Sequence, residues 1–173
     1  MTMQVIEHIE VGSGGAASID FTSIPATYTD LYLTLSARTD GTGNATNIEF
    51  NGSGTGYSNR SLQGNGASAS SFGTYFSTIG NSNDSTQTSN TFGSIGVMIP
   101  NYSSSTQYKS YSSDSASENN ATTAYMAIVA GLWSNTDAIT SLSLTPVNGS
   151  WVQYSSATLY GITAGSDGTT TVS

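Results

Sequence analysis

The sequence predicts an all-β protein: a two-sheet antiparallel β-sandwich, jelly-roll-like, of about 8–10 strands. Three observations carry that reading. Short apolar alternations recur along the chain, and no stretch has a helical period. Gly, Asn and Ser cluster between them, where turns belong. The 31 Ser and 25 Thr, with ten Tyr, give hydroxyl-rich strands rather than a disordered chain, because aromatics stand at 10%.

Taken in order, residues 4–11 form a first strand with Val5, Ile9 and Val11 on one parity. Gly12 to Gly15 is a turn. Residues 17–21 alternate, with Ala17, Ile19 and Phe21 inward and Ser18 and Asp20 outward. Residues 23–30 connect, and Pro25 forces Ile24 to be extended. Residues 31–38 are the clearest strand: Leu31, Leu33, Leu35 and Ala37 face a core. After the turn at 40–44, Ile48 and Phe50 point inward from 46–51.

Residues 51–91 have little sustained periodicity. Tyr57, Leu62, Phe72, Tyr75, Phe76 and Ile79 are spaced as anchors of short strands or of an ordered excursion. Regularity returns at 92–99, with Ile95, Val97 and Ile99 on one parity. Residues 106–112 read as an exposed strand bearing Tyr108, Lys109 and Tyr111, and 113–123 as a polar loop.

Residues 124–162 hold the densest apolar material and parse as a three-stranded antiparallel meander. Residues 125–133 are apolar on both parities, which fits a strand in the middle of the sandwich or one covered by a neighbouring subunit. Leu142 and Leu144 alternate with Ser141 and Ser143, and Pro146 ends that strand. Asn148-Gly149 is the strongest hairpin signal, and 151–162 returns from it. The domain is expected over 1–162, with a polar tail over 163–173.

Composition excludes several functions. There is no Cys, so thiol nucleophiles, disulfides and cysteine zinc sites are absent. Charged residues are only 8%, against roughly 25% in ordinary soluble domains, and net charge is −8. Three cations, Arg38, Arg60 and Lys109, make no footprint for nucleic acid, and the acidic balance disfavours an anionic membrane. No apolar run is long enough to span a bilayer as a helix. Residues 1–10 lack a basic start and carry Glu7 and Glu10, so no signal peptide is expected and synthesis is read as cytoplasmic.

Catalytic constellations are wanting. His8 is the single histidine, and no Gly-x-Ser-x-Gly elbow accompanies it. The acids lie singly: Asp20, Asp30, Asp40, Glu49, Asp84, Asp114 and Asp137 suit turn caps and solvated faces better than a paired-carboxylate site. The loops at 40–44 and 81–84 offer oxygen ligands but lack the spacing of an EF-hand calcium loop, and Asp and Asn also serve ordinary turns. No cofactor, metal site or catalytic residue is expected. Tyr28, Tyr57, Tyr102, Tyr108, Tyr111 and Tyr154 lie in or beside polar segments; they suit either an exposed contact surface or the rim of the sandwich.

Three blocks carry a resemblance. They are Phe21 to Leu31 with its Ile24-Pro25-Ala26-Thr27-Tyr28 connector, and Ile48-Glu49-Phe50-Asn51-Gly52 followed by Tyr57. The third comprises Gly131-Leu132-Trp133, Ile139 to Leu144, Trp151 and the closing Leu159-Tyr160-Gly161-Ile162. Together they resemble small β-rich virion structural proteins of tailed bacteriophages, over residues 21–162 but not 63–91. The resemblance implies a non-enzymatic virion surface protein: a capsid decoration protein, a head fibre or a tail appendage.

The expected function is therefore decoration of the outer capsid, stabilising the shell. The expected partners are the major capsid protein or another virion protein, and further copies of this chain, with a trimer favoured. An oligomer or capsid interface is expected at Tyr125, Met126, Trp133 and Trp151, and exposed aromatic contacts at Tyr28, Tyr57, Tyr102, Tyr108 and Tyr111. The alternatives are a tail fibre or tail-tip protein that binds a host-surface glycan, and a free carbohydrate-binding module.

Overall fold

A computed structural model describes residues 2–74, 76–121 and 124–164. The described chain forms β1 (Thr2–Glu10), β2 (Ile19–Phe21), β3 (Asp30–Ala37), β4 (Ala45–Phe50), β5 (Tyr57–Gly64), β6 (Ala69–Thr74), β7 (Thr78–Asn81), β8 (Gly93–Pro100), β9 (Lys109–Ser117), β10 (Tyr125–Trp133), β11 (Leu142–Pro146) and β12 (Ser156–Thr163). Eight strands make one sheet, in the order β1-β12-β3-β8-β9-β10-β5-β6; four make the other, β2-β11-β4-β7. All pairings between these strands are antiparallel. The fold is the expected antiparallel β-sandwich. Its division into eight and four strands departs from an eight-strand jelly roll.

The alternation read from the sequence builds the centre. Leu31, Leu33 and Leu35 of β3, Ile95, Val97 and Ile99 of β8, and Leu159 of β12 face Ile19 and Phe21 of β2, Ile48 and Phe50 of β4, and Leu142 and Leu144 of β11. All are buried, and burying each such side chain stabilises by about 1.5–3 kcal/mol.

Four elements differ from expectation. In β1 a bulge between Val5 and Glu7 breaks the parity. Ile6 and Ile9 then pack on the core while Val5 stays exposed. Ala17 is exposed, because β2 is only three residues long and begins at Ile19. Residues 113–117 are strand rather than loop: β9 alternates strictly, with Tyr111, Ser113, Ser115 and Ser117 buried. Serine gave no apolar signal there, yet its small hydroxyl fits between sheets when hydrogen-bonded.

The fourth difference is the C-terminal meander, which does not form. β10 is flanked by β9 and β5, β11 by β2 and β4, and β12 by β1 and β3. Asn148-Gly149 turns the chain from the small sheet to the large one instead of joining a hairpin. The turn is held by partners distant in sequence: Ser150 N–H donates to Asp40 Oδ1 at 2.7 Å and the Asn148 amide donates to the Thr42 carbonyl at 2.8 Å. Thr163 closes β12, and the expected tail from residue 165 onward lies outside the described residues.

Candidate functional site

β10 has two different faces, and each borders a candidate surface. On the outer face its register is set on both sides by ladders: Ile128 lies opposite Leu62 of β5 and Asp114 of β9, and Met126 lies opposite Gly64 and Ala116. Met126 is 70% exposed, Ile128 57% and Leu62 54%, so none of the described residues covers them. The charged side chains facing out from β9, β10 and β5 are Asp114 and Arg60. The result is a largely uncharged sheet face with an apolar centre.

On the inner face the four-stranded sheet is too narrow to cover its partner. Beyond β7 the strands β5 and β6 overhang, and a cleft of about 450 Å³ opens between the layers. Ala127 and Val129 of β10 contribute to its apolar wall, with Phe72, Phe76 and Val147 nearer solvent. Amides complete it. Asn81 Nδ2 donates across the gap to Gln63 Oε1 at 2.8 Å, Asn59 Nδ2 donates to the Phe76 carbonyl at 3.0 Å, and the Thr78 hydroxyl donates to Asn47 Oδ1 at 3.1 Å. None of the lining residues is charged.

The predicted interface residues divide. Met126 lies at the centre of the outer face, and Tyr125 is half-buried at the start of β10. Trp133 and Trp151 belong to the interior, which corrects their placement at an interface. Trp133 packs on Phe50 and Tyr57 with ring centroids 5.6 and 6.3 Å away, and Trp151 donates its indole N–H to the Leu144 carbonyl at 3.0 Å. Both are buried because large rings fill the space between sheets.

Three of the five predicted aromatic contacts are corrected in the same way. Tyr57, Tyr102 and Tyr111 are buried, and Tyr28 is half-buried over Gly161 and the core. Tyr108 is exposed, as is Tyr154. Each buried ring has a local reason. The Phe50 N–H donates to the Tyr57 hydroxyl oxygen at 2.6 Å, Tyr102 donates to the Pro25 carbonyl, and Tyr111 lies flat on Gly131, where a Cβ would meet its ring at 2.1 Å. Burial pushes Tyr57 up to about 12, opposed by that Phe50 hydrogen bond and aided by the Glu49 charge. Burial also raises Tyr102 and Tyr111.

Two of the three cations hold loops. The Lys109 ammonium is buried and donates to the carbonyls of Ser104, Gln107 and Thr136 at 2.8, 2.8 and 3.1 Å; the strand read as exposed therefore starts with an inward lysine. Burial lowers its pKa, against the pull of Asp137. Arg38 donates to the carbonyls of Gln87 and Thr88 at 3.0 and 2.8 Å. The two oxygen-rich loops do meet, but as turn caps: Asp84 accepts from Gly43 N–H, Thr86 N–H and the Thr86 hydroxyl. Burial favours protonation of Asp84, and these bonds with the Arg38 charge outweigh it, so its pKa is lowered. Among the described residues no three of His, Cys, Asp and Glu gather as metal ligands. His8 is exposed on the edge strand, 2.7 Å from the Thr158 hydroxyl.

Leu62 and Ile128 are the surface residues missing from the predicted site; the parity of Ile128 is readable in the apolar run 125–133, that of Leu62 is not. Asn59, Ser61 and Gln63 share one parity of β5, a signal that is legible only once β5 is known to be a strand. No protein-family model matches the chain, and no curated protein or solved structure matches it.

Proposed function

We propose that this chain is a non-enzymatic virion surface protein of a tailed bacteriophage that decorates the outer capsid. One observation carries the reading: the uncovered apolar centre of the outer face, Met126, Ile128 and Leu62, set among mostly small side chains with Asp114 and Arg60 as the charges beside it. A β face of this kind suits adhesion to another protein surface, because its apolar area is removed from water without stripping many charges. The resemblance over residues 21–162, leaving out 63–91, implies a virion surface protein, and a capsid decoration protein is one of the kinds it implies. A footprint bridging neighbouring capsid subunits binds the assembled shell better than free subunits and stabilises it by mass action. Further copies of the chain, three around a capsid axis, are part of the same proposal.

Quantitative mass spectrometry of purified phage particles carrying this chain tests it. Hundreds of copies, in a simple ratio to the major capsid protein, are expected. A handful to a few dozen would move the chain to the tail, and absence would overturn the virion reading. Rebinding of purified chain to particles lacking it locates the contact: Ile128→Asp should abolish rebinding while leaving the fold intact.

A further inference from the structure

We propose that the cleft between the two sheets is a binding site for a neutral saccharide. The site is on the opposite side of β10 from the adhesive face, and its ligand does not depend on where in a particle, or whether in a particle, the chain resides.

The first support is form. A concavity of about 450 Å³, walled by two rigid sheets, falls among ordinary small-ligand sites. The second is polarity. The side-chain amides of Asn44, Asn47, Gln63 and Asn81 line it, and much of their bonding capacity is unused. Asn81 is only 7% exposed, and its Nδ2 bonds Gln63 while its Oδ1 has no partner among the described residues. The same holds for Gln63 Nε2 and Asn47 Nδ2, whose companion oxygens are engaged. These atoms are not sealed from solvent, and a ligand hydroxyl, donor and acceptor at once, can take the place of water at both kinds of atom.

The third support is the apolar part. Phe72 stands on the edge strand β6, half exposed, and Phe76, also at the cleft, is largely exposed. A pyranose carries polarised C–H groups on one side that lie well on an aromatic face, and hydroxyls around its rim. Rings at the mouth and amides within match that division. Rival occupants fit less well. An alkyl chain would leave Asn81 Oδ1 and Gln63 Nε2 dry and unpaired. An anion meets no cation, since no lining residue is charged and Arg60 faces the other side of the sheet.

The test is an NMR titration of the full 173-residue chain. The probes are glucose, galactose, mannose, rhamnose, N-acetylglucosamine and N-acetylgalactosamine, with glucuronate, N-acetylneuraminate and octanoate as contrasts. At least one neutral sugar should shift the side-chain amide signals of Asn47, Gln63 and Asn81 at millimolar concentration. Phe72→Ala and Phe76→Ala should each weaken that binding about tenfold, the scale of one lost aromatic contact. Both rings are outside the core, so an unchanged amide spectrum checks the fold of each variant, and either variant alone suffices. Oligosaccharides of the responding sugar separate a free sugar from a polymer end: tighter binding of the oligomer marks a polymer. No cleft shift with any neutral sugar at tens of millimolar would overturn the proposal. So would a response confined to the charged sugars or octanoate, or shifts gathered around Tyr108 instead.

Discussion

The interior of this sandwich is built in two ways, side by side. Under β3, β8 and β12 the small sheet presents Ile19, Phe21, Ile48, Phe50, Leu142 and Leu144, and the layers meet through aliphatic and aromatic side chains. Under β9 the small sheet ends in β7, and the layers meet through hydroxyls. The Ser113 hydroxyl donates to the Ile79 carbonyl at 2.6 Å, Asn81 N–H donates to the Ser115 hydroxyl at 3.2 Å, and the Ser117 hydroxyl donates to Asn83 Oδ1 at 2.7 Å. Gly80 lets the layers come this close: a Cβ there would stand 2.5 Å from Ser115 Oγ. The apolar half can adjust to its neighbours, since dispersion is not directional. The serine half depends on register, because each hydroxyl reaches one partner. It also borders the cleft, where the small sheet stops and the amides remain partly unpaired.

The largest expected effect lies in the apolar half. Leu33→Ala, at a fully buried position, should lower unfolding free energy by about 2–5 kcal/mol in urea denaturation. A loss much below that would mean the half is not a close-packed core.

In the serine half, Gly80→Ala meets both Ser115 and an unfavourable backbone, φ +134°, and should cost about 1–3 kcal/mol. Adding Ser115→Gly should return the contact part and leave the backbone part. If the double variant recovers nothing, close approach is not what selects glycine.

The aromatic cluster of Phe50, Tyr57, Tyr111 and Trp133 closes one end of the interior. Tyr57, pushed up to about 12, remains protonated in the fold where the unfolded chain ionises near 10.0. Its contribution is therefore whole below pH 10 and lost as pH rises from 10 toward about 12. Tyr57→Phe should flatten that decline by about 1 kcal/mol per pH unit. Lys109, with its lowered pKa, acts with opposite sign: as pH rises through that value toward 10.5 the fold gains. Lys109→Met separates the two by removing the gain alone.

The smallest effect belongs to the outer face. Met126→Ser and Ile128→Thr should change stability by no more than about 0.5 kcal/mol, since neither side chain is covered. A larger loss in dilute solution would mean that the face is already buried in an oligomer.

Legibility in the sequence followed the same division. β3, β4 and β8 are readable because Leu, Ile, Val and Phe recur there at every second position. The second half of β9 was not, because Ser113, Ser115 and Ser117 alternate with Ser112, Asp114 and Ala116, and serine on both parities has no period. The candidate surfaces were half legible. Met126 is legible from the apolar run of β10, but Trp133, expected beside it at an interface, sits on the opposite parity of the same strand. The cleft was hidden altogether, since its walls come from β4, β5, β6, β7 and β10, elements scattered from residue 45 to residue 133.

By itself the sequence determined a β-sandwich: period-two alternation gives every apolar strand one face to hide, and Gly-, Asn- and Ser-rich turns separate them. Tertiary structure alone decided which strands became neighbours. A strand's edge carries the same N–H and C=O groups whatever its side chains, so β10, β11 and β12 could be adjacent in sequence and still pair elsewhere. That choice set the width of the small sheet, and with it which residues were covered, which were left outside, and where the cleft opens.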